Sequence, residues 1–260
     1  MNDGPEHSGR RRPLSGMVGR HRPETVRDVL VVVLTLATGA TDSIGLLRLG
    51  GVFTSVMTGN MILLGVSLGK RDGSLALHGG AAFVGYVAGT WVGARLARRE
   101  GPPRSVWPRA VSGALVVELA VFAVFAVWWV VGGGHPSGRA TYVLIAVNSM
   151  ALGIQSSAVL QLGVSGLSTT YLTGTLTQVV ASLTSPHATV PKRSLVVLLA
   201  LVAGAGLGAI VTVEVPLAAP AVPLGSVALV LVVATAAFGG SSRAQADEAS
   251  AFEPEDGSSA

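Results

Sequence analysis

Residues Ala40 to Gly50 read ATDSIGLLRLG, and residues Gly153 to Gly163 read GIQSSAVLQLG. Each stretch runs on to a Thr-Gly step, Thr58-Gly59 after the first and Thr173-Gly174 after the second. The correspondence continues downstream, where VAGTWVGA from Val87 matches VAGAGLGA from Val202 and SGALV from Ser112 matches SVALV from Ser226. The separations are 113 (153 − 40), 115 (202 − 87) and 114 (226 − 112), so small insertions align the two halves. Such a pattern predicts one unit present twice, 29–132 and 140–239. In membrane proteins, internal repeats of this kind build a site where they meet.

Half of the residues are hydrophobic, 12% are charged and the mean hydropathy is +0.60. A water-soluble domain of this size lacks the polar surface to cover so much apolar side chain, so the chain is read as an integral membrane protein. Lipid offers backbone groups no partner, which makes the fold class all-α. The pI of about 10.1 does not indicate nucleic acid, because the basic residues sit beside apolar segments. Arg10, Arg11, Arg12, Arg20, Arg22 and Arg27 precede the first span. They predict a disordered basic tail over 1–28 on the cytoplasmic side of a bacterial inner membrane. Residues 241–260, with Asp247, Glu248, Glu253, Glu255 and Asp256, read as a disordered acidic tail. The lipid bilayer is the expected partner.

Eight apolar segments can be drawn, four in each half. The second of each set is unusual. GVFTSVMTGN from Gly51 and GLSTTYLTGT from Gly166 are rich in β-prone and hydroxyl residues before a cleaner apolar run. Each suggests an extended lead-in followed by a half-helix that starts inside the membrane near its Thr-Gly step. If all eight segments cross, the loop with Arg95, Arg98, Arg99, Arg104 and Arg109 falls outside, against the positive-inside rule. Six crossings plus two re-entrant segments place that loop in the cytoplasm and make the halves inverted. Eight crossings, with parallel halves, are the alternative.

Asp42 is the sharpest site candidate, because an intramembrane carboxylate is costly unless it is paired, hydrated or protonated. The aligned passages set Gln155 opposite it. A structural alternative has Asp42 capping the broken segment or pairing with Arg48. Around the two Thr-Gly steps, Thr58, Gly59, Asn60, Thr169, Thr170, Thr173 and Gly174 would present free N–H groups and the positive end of a half-helix to a solute. Glu118 lies inside the fourth segment as a possible proton relay partner of Asp42. Asn148 reads as an interhelical hydrogen bonder, the four tryptophans as interfacial anchors, and Gly85, Gly89, Gly93, Gly204 and Gly208 as packing faces. The chain has no cysteine, its five histidines show no metal-ligand spacing, and no catalytic signature appears. No cofactor, metal or enzymatic activity is expected.

The passages GATDSIGLLRLGGVFTSVMTGNMILLG and MALGIQSSAVLQLGVSGLSTTYLTGTLTQ resemble the YoaK-type family of bacterial inner-membrane proteins, a domain of unknown function. The shared features are Asp42, Thr58-Gly59-Asn60, Gly153 with Gln155, and Thr169-Thr170 with Thr173-Gly174 and Leu176. The resemblance covers Val29 to Phe238 and implies a polytopic bacterial membrane protein, without supplying a substrate. On the residues themselves, the leading expectation is a small secondary transporter, with a midplane site for a small polar solute or a proton. The alternative is a non-transporting scaffold or sensor.

Overall fold

The computed structural model describes residues 23–97, 105–163, 172–184 and 192–251, with side chains as far as 239. These residues form α1 (Pro23–Arg48), α2 (Met57–Lys70), α3 (Gly73–Leu96), α4 (Arg109–Val131), α5 (Arg139–Leu160), α6 (Leu172–Leu183), α7 (Lys192–Glu214), a single 3-10 turn (Pro216–Ala218) and α8 (Ala221–Ala251). Six of them, all but α2 and α6, are long and apolar enough to cross a membrane. With 14 and 12 residues, α2 and α6 span about 21 and 18 Å, short of the roughly 30 Å of hydrocarbon. The expectation of a polytopic all-α membrane protein is met.

The helix ends follow from local chemistry. Pro23 opens α1, where its missing N–H costs nothing, and Glu24 favours the positive end of the helix dipole. Residues 23–28, expected within an unstructured tail, are therefore helical, and Asp28 ties that turn to Arg193 of α7 at 2.8 Å. At the other terminus α8 continues to Ala251, so residues 241–251 of the expected acidic tail are also helical. This stretch, SSRAQADEASA, carries four alanines, the residue that most favours helix. Between α2 and α3 the chain reverses in a two-residue turn. Arg71 adopts a left-handed conformation (φ 55°), and the Asp72 carboxylate accepts from the Ser74 and Leu75 amides.

Glycines set the main packing. A methyl group on Gly89 of α3 would collide with the Met150 carbonyl of α5, and one on Gly204 of α7 with the Leu36 carbonyl of α1. Gly85 and Gly93, and likewise Gly208, sit against the same partner helices. The expected packing faces are thus used, and they bring backbones into direct contact. Contacts advance in the same sense on both helices: Ala146, Met150 and Ile154 meet Gly85, Gly89 and Gly93, while Leu36 and Ala40 meet Gly204 and Gly208. Hence α3 and α5 run parallel, and so do α1 and α7.

The face on which each helix ends follows from these pairs. His78, one turn into α3, lies over Gly50 at the end of α1, so α3 starts where α1 finishes. Gly79 faces Leu64 and the Asn60 carbonyl, which makes α2 antiparallel to α3. The chain therefore dips into the bundle after α1, and α2 climbs back to the same face. Since α5 runs with α3 and α7 with α1, α5 ends at the face where α7 begins. The segment carrying α6 joins two ends on one face and adds no crossing. With three of the long helices before it, α5 runs antiparallel to α1.

The eight helices divide into two groups. In one, α1 packs on α7 and α8, with α6 against α7; in the other, α5 packs on α3 and α4, with α2 against α3. Each group takes its first helix from the opposite half of the chain. They meet along α4 and α8, and more narrowly where α1 crosses α5.

Candidate functional site

Asp42 is buried one and a half turns before the end of α1. One carboxylate oxygen accepts from the Thr54 amide (2.7 Å), the Thr54 hydroxyl (2.9 Å) and the Ser55 amide (2.8 Å). The other accepts from the Ser55 hydroxyl at 2.5 Å. Four donors from the dipping segment thus converge on one side chain, which satisfies backbone groups that lipid could not. Arg48 does not pair with it. The guanidinium donates instead to His135 Nδ1 (2.9 Å) and the Thr212 carbonyl (3.4 Å).

The first Thr-Gly step has a similar structural role. Asn60 accepts from the Phe53 amide at 3.0 Å and donates to the Phe53 carbonyl at 2.5 Å, mimicking a strand partner. Gly59 leaves room for the Phe53 ring, and Thr58 is exposed in the first turn of α2. The half-helix does begin here, at Met57, as the sequence suggests. Asn60 is turned back onto the loop and does not point to a solute. In the second half, Thr173 and Gly174 are exposed in the first turn of α6. Thr169 and Thr170 lie outside the described residues.

Gln155 occupies a different environment from Asp42. It is buried on α5 where the two groups touch, and its Nε2 donates to the Thr38 hydroxyl (2.8 Å) and the Leu34 carbonyl (3.3 Å) of α1. Its Oε1 is buried without a hydrogen-bond partner, as are both side-chain polar atoms of Asn148 and the Ser149 hydroxyl. Asn148 and Gln155 are two turns apart and share a face of α5. On α1, Thr35, Thr38 and Thr41 bond to their own helix through the carbonyls of Val31, Leu34 and Ala37, a habit of intramembrane threonines. Thr35, Thr38, Thr41, Asn148 and Gln155 form a buried polar track along the α1–α5 crossing, while Ser149 lies about 100° round α5 from Asn148. Asn148, expected to bond another helix, has no such bond. Ser149 and the α1 threonines were missed because a lone Ser or Thr in an apolar run is unremarkable.

Glu118 is fully buried in α4, and neither carboxylate oxygen has a partner. It lies about thirteen residues before the end of α4, so the antiparallel turn into α5 sets it near the depth of Leu152. It is thus at the level of the polar track, away from Asp42.

The alignment that sets Asp42 opposite Gln155 is off by one residue in space. Gly39 meets Leu201 and Ala205, and Gly153 meets Tyr86 and Thr90. These contacts superpose with a shift of 114 on the first helices (153 − 39) and 115 on the third (201 − 86, 205 − 90). The packing counterpart of Asp42 is therefore Ser156, which accepts from the Tyr86 hydroxyl at 2.9 Å, and that of Gln155 is Thr41. The sequence match was anchored on the Leu-Gly pairs at 49–50 and 162–163, and the second half is one residue shorter between its helix glycine and that Gly. Two of the four tryptophans also differ from expectation. Trp107 and Trp129 are buried, Trp107 stacked on Phe238 at 5.9 Å and Trp129 donating to the Pro216 carbonyl at 2.7 Å.

Six long apolar helices, two short ones that return to the face they left and a buried polar track define a polytopic helical membrane protein. The chain belongs to the family described as Protein of unknown function (DUF1275), which matches residues 30–234. It is also similar to the UPF0700 transmembrane protein YoaK of Bacillus subtilis (strain 168), with 36% identity over 150 residues. That match covers 58% of this chain and 64% of the relative, just under two thirds of the latter's length. No solved structure matches the chain.

Proposed function

We propose that this protein is a small secondary transporter in which a polar solute passes between the two four-helix groups at the α1–α5 crossing. Gln155 carries the reading: it is buried at the contact of the groups, with its Nε2 engaged and its Oε1 free. A buried amide oxygen without a partner costs about 1–3 kcal/mol, and Asn148 and Ser149 add to that cost. A static bundle would be more stable with apolar residues there. A solute with N–H or O–H donors supplies what these acceptors lack, and Glu118 supplies a titratable group for proton coupling.

The contacts between the groups support alternating access. On the face where α1 ends, Arg48 bonds to His135 and Trp129 to the Pro216 carbonyl. On the opposite face the aromatic stack of Trp107 on Phe238 joins the segment just before α4 to α8. Rocking about such a contact opens one face as it closes the other. The charge distribution supports a cytoplasmic N-terminus. Of the ten Lys and Arg among the described residues, Arg48, Lys70, Arg71 and Arg139 belong to the face where α1 ends, and the other six (10 − 4), Arg27, Arg95, Arg109, Lys192, Arg193 and Arg243, belong to helix ends at the opposite face. That bias fits a bacterial inner membrane with the N-terminus inside.

The chain has no native cysteine, so accessibility tests the proposal without a known substrate. Thr38→Cys and Asn148→Cys are expected to react with a membrane-impermeant maleimide from either face of vesicles, with the rates from the two faces changing in opposite directions as the groups rock. Gln155→Leu is expected to remain folded and to lose this two-sided access. Complete protection from both faces in the otherwise native protein would overturn transport. That result would favour the scaffold reading, which the full engagement of Asp42 and Asn60 in holding a loop supports.

A further inference from the structure

The parallel pairing of α1 and α7 leaves a groove of about 380 Å³ between their first turns. Its walls are Val29, Val32, Val33 and Val196, of which Val29 and Val196 are 55% and 47% exposed. These valines begin the apolar runs of two spanning helices, so the groove opens sideways toward acyl chains rather than toward the bundle centre. Its rim is charged. Asp28 accepts from Arg27 Nη2 (2.9 Å) and from Arg193 Nε (2.8 Å). The Arg193 side chain remains 55% exposed, and its terminal nitrogens and the Lys192 ammonium have no partner among the described residues. Of the residues lining the groove, Lys192 and Arg193 against Asp28 leave the rim at +1 (2 − 1).

An apolar slot facing the bilayer, closed at headgroup depth by free cationic donors, is complementary to an amphiphile with a negative head. We propose that this groove is a binding site for an anionic phospholipid. Its phosphate sits on Lys192 and the Arg193 guanidinium, and one acyl chain lies against the valines. The Asp28–Arg193 pair fixes one edge of the guanidinium and leaves the other for the phosphate, the bidentate geometry that arginine favours. Asp28 also sets a limit, since its charge disfavours a second anion. The site is separate from the α1–α5 track and stands whether or not that track carries a solute.

Native mass spectrometry of the full chain in neutral detergent tests the assignment. The probes are phosphatidylglycerol, phosphatidylcholine with the same acyl chains, and inorganic phosphate. Phosphatidylglycerol is expected to stay bound under activation that strips phosphatidylcholine. At about fivefold per basic residue, Lys192→Gln should weaken its binding about fivefold, and Lys192→Gln with Arg193→Gln about 25-fold. The pair Lys70→Gln with Arg71→Gln, on the opposite face, should leave it unchanged. Val196→Trp fills the slot without touching the ion pair and should abolish the adduct, which covers the case in which loss of Arg193 loosens α1 from α7. Equal retention of the two lipids, full binding by Val196→Trp, or displacement of phosphatidylglycerol by inorganic phosphate would overturn the proposal.

Discussion

Replacing Asp42 by alanine withdraws the acceptor for four donors at once. The Thr54 and Ser55 hydroxyls can rotate to nearby carbonyls, as other hydroxyls in this bundle do, but the two amides cannot. Each orphaned buried N–H costs about 1–3 kcal/mol, so the loop should loosen by about 4 kcal/mol, roughly a thousandfold in its opening equilibrium. Asparagine is a milder change. Its Oδ1 can keep three donors while Nδ2 faces Ser55, whose hydroxyl turns to accept, leaving a loss of charge assistance of about 1–2 kcal/mol. Val52→Cys, fully buried in the loop, reports opening through its rate of reaction with a soluble thiol reagent. Labelling should accelerate about a thousandfold with Asp42→Ala and about tenfold with Asp42→Asn. A rate unchanged by Asp42→Ala would refute the clasp. The sequence alone predicts that Asp42→Asn abolishes coupled uptake. The clasp predicts that uptake survives, so the two roles separate in one variant.

Two further outcomes follow from the packing and the topology. Gly89→Val and Gly204→Val drive a side chain into the backbone of the facing helix, at a cost above the usual 1–3 kcal/mol of overpacking. Both should lose the monodisperse peak in size-exclusion chromatography, whereas Gly206→Ala, which meets open space on α7, should raise thermal stability slightly through helix propensity. Glu24→Cys and Arg109→Cys should label from one face of oriented vesicles and Lys70→Cys from the other. Labelling of Lys70→Cys from the same face as Glu24→Cys would restore eight crossings.

Much of the fold was legible because its determinants are local or periodic. Apolar length gave eight segments, the positive-inside rule favoured six crossings among them, the polar start of GVFTSVMTGN gave the broken segment before α2, and the spaced glycines marked packing faces, although not which helices they join. The site was less legible. Asp42 stands out in sequence for being costly in lipid, yet that cost is met by Thr54 and Ser55, twelve and thirteen residues on, and no spacing rule forecasts that a loop will fold back onto its own helix. Gln155 draws less notice because an amide is a cheaper intramembrane group. It emerges only when α1 and α5 are seen to cross with its Oε1 unmet. The one-residue slip between the halves has the same origin, since identity at Leu-Gly marks where a helix ends and backbone contact at Gly39 and Gly153 marks where it packs.

The exchange of first helices gives the duplicated passages a further meaning. The chain moves from one four-helix group to the other twice, between α1 and α2 and again between α5 and α6. Both passages open on a left-handed glycine, Gly50 and Gly51 (φ 80° and 73°) in the first and Gly163 (φ 63°) in the second. Any displacement of one group against the other must be absorbed in these two links, because every other connection stays within a group. The first link is fastened by Asp42 and Asn60. At the corresponding place on α5 the second has Ser156, a neutral hydroxyl bonded to Tyr86 of its own group. The first link is thus held to the end of α1, and motion between the groups must either carry the Asp42 clasp with it or break it.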